Sequence, residues 1–235
     1  LAPMSAIAGK VAAQYAVTLL HAPSGGRGLL LGGAIGTERG NVVVLGAGVV
    51  GGHAAALLSA VGARVDIFDL DLARADRLAT YGPGQITGLY PYGDLIADRV
   101  RRADVVVGAV LSAGARAPTV VSREQVASMA PGSVVADVAV DQGGCVETTR
   151  PTDYTDPTYV AEGVTHFAVT NMPAAVPRSA SKSLSAHLLP YTQKLARMPL
   201  DGLAGALAEV PDLASAVNVA AGEITHPAVA ASLEE

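Results

Sequence analysis

The sequence predicts an α/β fold built on a doubly wound parallel sheet, and three observations carry that expectation. Short runs of apolar residues recur through the middle of the chain, helical stretches separate them, and a glycine cluster stands between the first run and the first helical stretch. Runs that are apolar at every position suit strands covered on both faces.

The elements follow in order. Ser5 reads as a helix N-cap, and Ala6 to His21 carries Ile7, Val11, Tyr15 and Leu19 at roughly helical spacing. Pro23 to Gly40 holds seven glycines without periodicity and reads as a connecting loop. The alternation then begins: strand Asn41 to Leu45, helix Val49 to Val61, strand Arg64 to Phe68, helix Leu72 to Thr80. Further apolar runs at Asp104 to Val110 and Ser133 to Val138 enclose a helical segment, Arg123 to Met129, and another run follows at His166 to Val169. Beyond Pro177 the pattern changes to a long helical stretch, Ser179 to Arg197, and then to short pieces punctuated by Gly and Pro.

Composition narrows the function classes. Half of the 235 residues are hydrophobic and 16% are charged, enough apolar surface to offset the ordering entropy of a folded core. The formal charge of −5, with no basic run, argues against nucleic acid as the main partner. One cysteine, Cys145, excludes an internal disulfide and a cysteine-clustered metal site, and fits a reducing, cytoplasmic setting. His21, His53, His166, His187 and His226 lack ligand spacing, so no metal is expected. Apolar stretches such as Asn41 to Ala60 are broken by glycine, which speaks against a membrane span.

Chemistry concentrates in the glycine cluster. Gly46-Ala47-Gly48-Val49-Val50-Gly51 follows a strand and opens a helix, the context a dinucleotide fingerprint requires. Gly46 permits the tight turn, Gly48 lets the backbone approach a pyrophosphate, and Gly51 lets helix and strand pack closely. The helix amides, from Val49 and Val50 onward, present donors and a positive dipole end to the anion. The next strand ends in Asp69, 18 positions beyond Gly51, where a carboxylate binds the adenosine ribose and repels a 2′-phosphate. The expected cofactor is therefore NAD rather than NADP in a Rossmann-like domain, although Arg74 nearby softens that repulsion.

Two later segments fall beyond strand ends. In Asp137-Val138-Ala139-Val140-Asp141-Gln142-Gly143-Gly144, Asp141 either faces the crevice or caps a turn. In Thr170-Asn171-Met172-Pro173, Asn171 either hydrogen-bonds a nicotinamide amide or substrate, or begins a turn before proline. Cys145 reads as a small buried hydrophobe rather than a reactive thiol.

Together these motifs resemble one family, alanine dehydrogenase, within the group that includes the NAD-binding component of nicotinamide nucleotide transhydrogenase. The likeness rests on Leu1-Ala2-Pro3-Met4-Ser5, Gly46 to Gly51, Gly108-Ala109-Val110-Leu111, Asp137 to Cys145, and Asn171-Met172-Pro173-Ala174-Ala175-Val176-Pro177. The resemblance implies reversible, NAD-dependent oxidative deamination of L-alanine to pyruvate and ammonium. It implies that Ser5 touches the cofactor phosphates, Asp69 the ribose, and Val110 and Leu111 the cofactor's flank. Asp141 becomes the active-site aspartate beside the reacting carbon, with Asn171 and Met172 next to the nicotinamide.

In that family a substrate-domain segment precedes the equivalent of Leu1 and carries the lysine, histidine and arginine that handle the keto acid. The chain then divides into a bridging helix at 1–22, an NAD-binding domain at 23–177, and a helical segment of the substrate domain at 178–235. Both bridging helices are expected to expose apolar faces unless a second copy or a companion N-terminal half covers them. The family suggests a homo-oligomer. A non-catalytic NAD-binding subunit, similar to the transhydrogenase component, is the alternative, and an enzyme acting on another amino or imino acid is the third.

Overall fold

In a computed structural model, the described residues are 2–82, 84–110, 117–198, 207, 210–214 and 216–232. The chain divides into two compact units, Leu1–Ala180 and Ser181–Glu235.

The first unit is a seven-stranded sheet: β1 Asn41–Leu45, β2 Arg64–Phe68, β3 Gln85–Leu89, β4 Val105–Gly108, β5 Val134–Asp137, β6 Thr158–Ala161 and β7 Val164–Phe167. They lie in the order β3-β2-β1-β4-β5-β7-β6. All pairings are parallel except the edge pair β6 and β7. The expected doubly wound sheet is therefore present, with an antiparallel edge closed by the Glu162-Gly163 turn, both at positive φ. The strand order reverses at β1, which pairs with β2 on one side and β4 on the other, Val42 facing Val65 and Val105.

The helices are α1 Ala2–Leu19, α2 Val49–Ala60, α3 Leu72–Tyr81, α4 Gly93–Arg102 and α5 Arg123–Ala127, followed by α6 Pro177–Ala196. Side-chain alternation along the strands divides the core into two layers. Val42, Val44, Val65, Ile67, Val105 and Val107 pack with Ala13, Ala16 and Leu20 from the α1 side and Ala54, Ala55 and Leu58 of α2. Val43, Leu45, Phe68, Val106 and Val135 pack on the other face with Ile96 and Val100 of α4 and Val126 of α5.

Two details of α1 differ from expectation. The helix begins at Ala2, so Ser5 lies inside it and is no N-cap; Pro3 is tolerated because first-turn amides have no intrahelical partner. Nor does α1 turn its small apolar face to solvent, because Ala8, Gly9, Ala12, Ala13 and Ala16 are buried. A Cβ on Gly9 would come within 2.2 Å of the Val50 carbonyl oxygen, so glycine is what allows α1 to lie against the start of α2.

The second unit holds most of α6, the short helices α7 Pro211–Ala214 and α8 Pro227–Ser232, and a hairpin of β8 Val219–Ala220 and β9 Glu223–Ile224. Along α6, Leu184, Leu188, Leu189, Tyr191 and Leu195 are exposed. Among the described residues, no helix is long and apolar enough to cross a membrane.

Candidate functional site

Every segment singled out above, apart from that on α1, emerges at the carboxyl end of the parallel strands, where open α/β sheets bind ligands. The glycine turn follows β1. The Gly46 amide donates to Phe68 O of β2 at 2.7 Å, and Ala109 N after β4 donates to Leu45 O at 2.9 Å. Gly46 takes φ +99°, and a Cβ there would meet Ala109 O at 2.6 Å, so the turn rests directly on the backbone that follows β4.

The three glycines have different physical reasons. A Cβ on Gly51 would stand 1.8 Å from Gly46 O, so helix–strand contact alone demands glycine there. A Cβ on Gly48 would meet nothing within 4 Å, and its φ of −68° and ψ of −167° suit any L-residue. Nothing within the protein therefore requires Gly48, the middle glycine of the three, to lack a side chain. Gly48 is also the N-cap of α2 and supplies no side-chain bond to the helix, whose first turn contains no acidic residue. The amides of the first turn are thus left for an anion, and these residues fit a dinucleotide pyrophosphate.

Asp69 bridges the two loops. Its Oδ2 accepts from Ala47 N at 2.6 Å and its Oδ1 from Asp71 N at 2.8 Å, which holds the carboxylate beside the glycine turn. Each oxygen retains lone-pair capacity for a hydroxyl donor. Arg74 lies in the first turn of α3 and pairs with Asp71, the N-cap, with Nε 3.1 Å from Oδ2. Ser5 precedes Gly9 by about one helical turn on α1, which places it toward the same end of α2. Val110 is partly buried against the layer containing Val43 and Val106. Leu111 lies outside the described residues.

Asp141 is exposed in a short 3₁₀ turn, Val138–Gln142, directly after β5. Sequence reasoning put the weight on Asp141 and passed over Asp137, which is fully buried and holds the turn. Asn171 sits at φ +54° and ψ +51°, a left-handed conformation that asparagine tolerates, and is exposed after β7. Met172 is different, with its side chain packed among Ala8, Val11, Ala12 and Phe167. Its carbonyl accepts from the Tyr154 hydroxyl at 2.5 Å. Burial, with Tyr15 as a lesser contribution, pushes the Tyr154 hydroxyl up to about 12, so it remains a donor that fixes the Asn171 turn. No local pattern in the sequence links Tyr154 to Met172.

His166 is fully buried in β7. Its Nδ1 faces the Val164 carbonyl at 2.9 Å and must donate, so Nε2, 2.7 Å from Thr148 Oγ1, accepts the threonine proton. The ring is therefore neutral, and burial depresses its pKa. An unfolded chain takes up this proton near the ordinary value of 6.5 while the folded chain does so only at lower pH. The stabilisation is fully present above about 6.5 and is lost as pH falls below it, by up to about 1.4 kcal/mol per pH unit. Urea unfolding at pH 7.5 and 5.5 is expected to show a larger loss for the wild type than for His166→Gln; equal losses contradict this role.

A cavity of about 420 Å³ opens at the opposite, amino end of β1 to β3, lined by residues including Asn41, Arg64, Asp66, Gln85 and Thr87. It contains none of the loop amides or the carboxylates described above. Among the described residues, no group of three or more His, Cys, Asp or Glu side chains is placed to hold a metal.

The profile of the family described as "Alanine dehydrogenase/PNT, C-terminal domain" matches residues 12–227. Alanine dehydrogenase of Bacillus subtilis is 44% identical over 234 residues, covering 99% of this chain and 61% of that enzyme. The Halomonas elongata enzyme is 41% identical over 230 residues, covering 98% and 61%. A solved L-alanine dehydrogenase superposes with a TM-score of 0.93 at 45% identity over 100% of this chain and 64% of its own. A transhydrogenase from Sinorhizobium meliloti gives a TM-score of 0.75 at 26% identity, covering 97% and 61%. The chain thus spans about three fifths of the length of the curated relatives it matches.

Proposed function

The chain belongs to the alanine dehydrogenase/PNT C-terminal domain family, and from that premise we propose that its carboxyl-edge crevice binds NAD and serves the reversible oxidative deamination of L-alanine to pyruvate and ammonium. The observation that carries the cofactor reading is Gly48, whose missing side chain leaves open space in front of uncapped helix amides. The coenzyme, when bound, supplies the acceptor for the hydride leaving the substrate Cα.

The chain's own residues do the rest. The Val49, Val50 and Gly51 amides receive the pyrophosphate, with Ser5 of α1 beside them. Asp69 accepts the ribose hydroxyls and Arg74 flanks them. Val110 stands on the cofactor's flank, and the Asn171-Met172 turn meets the nicotinamide. Asp141, exposed and beyond β5, stabilises positive charge on the substrate nitrogen and orients the water that releases ammonium. Residues 178–235 are assigned to the substrate side, and the remainder of the active site to a segment of the kind that completes the relatives.

The test is a fluorescence titration, made clean by the absence of tryptophan. NADH is expected to bind at least about tenfold more tightly than NADPH, because a 2′-phosphate beside the Asp69 carboxylate meets like charge. Asp69→Ala is expected to weaken NADH by about tenfold and to remove most of the preference. Equal affinities in the wild type would overturn the assignment of Asp69.

A further inference from the structure

We infer that Asp137 is a positioning residue: this one buried carboxylate closes the turn that carries Asp141 and thereby fixes where the exposed aspartate stands. The inference rests on the proposed role of Asp141, but its geometry is independent of that role. Asp137 ends β5, and Oδ1 accepts from Ala139 N at 3.0 Å, at the start of the turn. Its Oδ2 accepts from Cys145 N at 2.8 Å, Val146 N at 3.1 Å and Thr149 Oγ1 at 2.6 Å, where the chain returns. The Cys145 thiol adds a weaker donor 3.6 Å from Oδ1. Both ends of the Asp141 segment are thus tied to one acceptor, and Asp141 itself needs no bond of its own to be held in place.

The surroundings are shaped to this carboxylate. A Cβ on Gly108 of β4 would come within 2.5 Å of Asp137 Oδ1, and one on Gly144 within 2.9 Å of Oδ2. Gly144 takes φ +78° and Gly143 +91°, so the return of the chain over Asp137 depends on two glycines in the left-handed region. The glycines of the Gln142-Gly143-Gly144 segment serve the burial of Asp137. An apolar residue in its place would leave three buried amides unpaired.

Cys145 gives a direct reading of this closure. It is the chain's one cysteine and is fully buried, and burial, reinforced by Asp137, raises its thiol pKa well above the ordinary range. It can therefore react only when the turn opens. The experiment follows labelling of Cys145 by a disulfide reagent under native conditions, alongside NADH and ADP-ribose affinities and the unfolding midpoint. The chains compared are the wild type, Asp137→Asn, Thr149→Val and Thr149→Ser.

Thr149→Val is expected to raise the labelling rate at least about tenfold and to weaken NADH several-fold. ADP-ribose, which lacks the nicotinamide, should bind as before, and Thr149→Ser should restore both properties. Asp137→Asn, if it folds, should show the larger change. Unchanged labelling in Thr149→Val overturns the inference. So does faster labelling accompanied by an equal loss of ADP-ribose affinity or a collapse of the unfolding midpoint, because the role is then support of the fold at large. Should the wild type bind neither nucleotide, the cofactor reading fails while the labelling comparison still decides whether Asp137 closes the turn.

Discussion

Gly48→Asp is expected to abolish useful NADH binding, with a loss of at least about 100-fold, while leaving the fold as stable as before or slightly more so. An aspartate fits at this position because the backbone suits an L-residue and open space lies in front of it. Its carboxylate becomes an N-cap for α2, which favours the helix by a few tenths of a kcal/mol or more relative to glycine. The same carboxylate occupies the amides that would receive the pyrophosphate and repels its charge. At about 4 Å and an effective dielectric near 20, each pair of like charges costs about 4 kcal/mol, so a 100-fold loss is a modest demand. Affinity and stability thus move in different directions, and an unfolding curve beside a titration separates them. Retained NADH binding in Gly48→Asp would place the phosphates elsewhere.

Gly51→Ala is the contrasting case, in which the effect falls on the fold. Its Cβ would stand 1.8 Å from the Gly46 carbonyl oxygen and 3.1 Å from Val44 Cγ1. Neither the turn backbone nor the buried valine has room to yield, so α2, against which α1 is packed, must lift from β1 and the core layer beneath it. Overpacking at such a site costs about 3 kcal/mol or more, a large share of a domain's stability. The expected result is a lowered urea midpoint, with NADH affinity falling as a consequence. A midpoint within about 0.5 kcal/mol of the wild type would show that the helix can shift without cost, contrary to the packing described. The two glycines, three residues apart in one motif, are thus separated by what surrounds them: one faces protein backbone, the other open space.

The contrast also shows what a reading of residues could reach. The strands at Asn41–Leu45 and Arg64–Phe68 are legible to the residue because three valines and a leucine in the first, and Val65, Ile67 and Phe68 around Asp66 in the second, are closed by Gly46 and Asp69. β3, Gln85–Leu89, escaped because it mixes glutamine, threonine and glycine with only two large apolar residues, and its place at the sheet edge relaxes the demand for burial. α4 carried a readable sign, Ile96 and Val100 one turn apart among charged residues, but the surrounding arginines and aspartates masked it. The antiparallel β6 depends on a turn through Glu162 in a left-handed conformation, which no residue preference announces.

At the site, local motifs were visible and their supports were not. The glycine turn, Asp69, Asp141 and Asn171 stand beyond strand ends, as their position after apolar runs suggested. Their supporting partners lie far along the chain. Tyr154 holds the Met172 carbonyl across 18 positions, and Asp137 reaches Thr149 across 12. Such pairs become adjacent only when β5, β7 and the loops between them are assembled. Ser5 was misread as a cap because its residue type suits one, whereas the helix had already begun at Ala2, ahead of Pro3.

The most direct test of the central claim is a crystal structure of the chain grown with saturating NADH. The account predicts pyrophosphate oxygens within hydrogen-bonding distance of the amides opening α2, and the adenosine ribose hydroxyls on the Asp69 carboxylate. Nucleotide density at the opposite end of the strands, against Arg64 and Gln85, with the glycine turn bare, would contradict it.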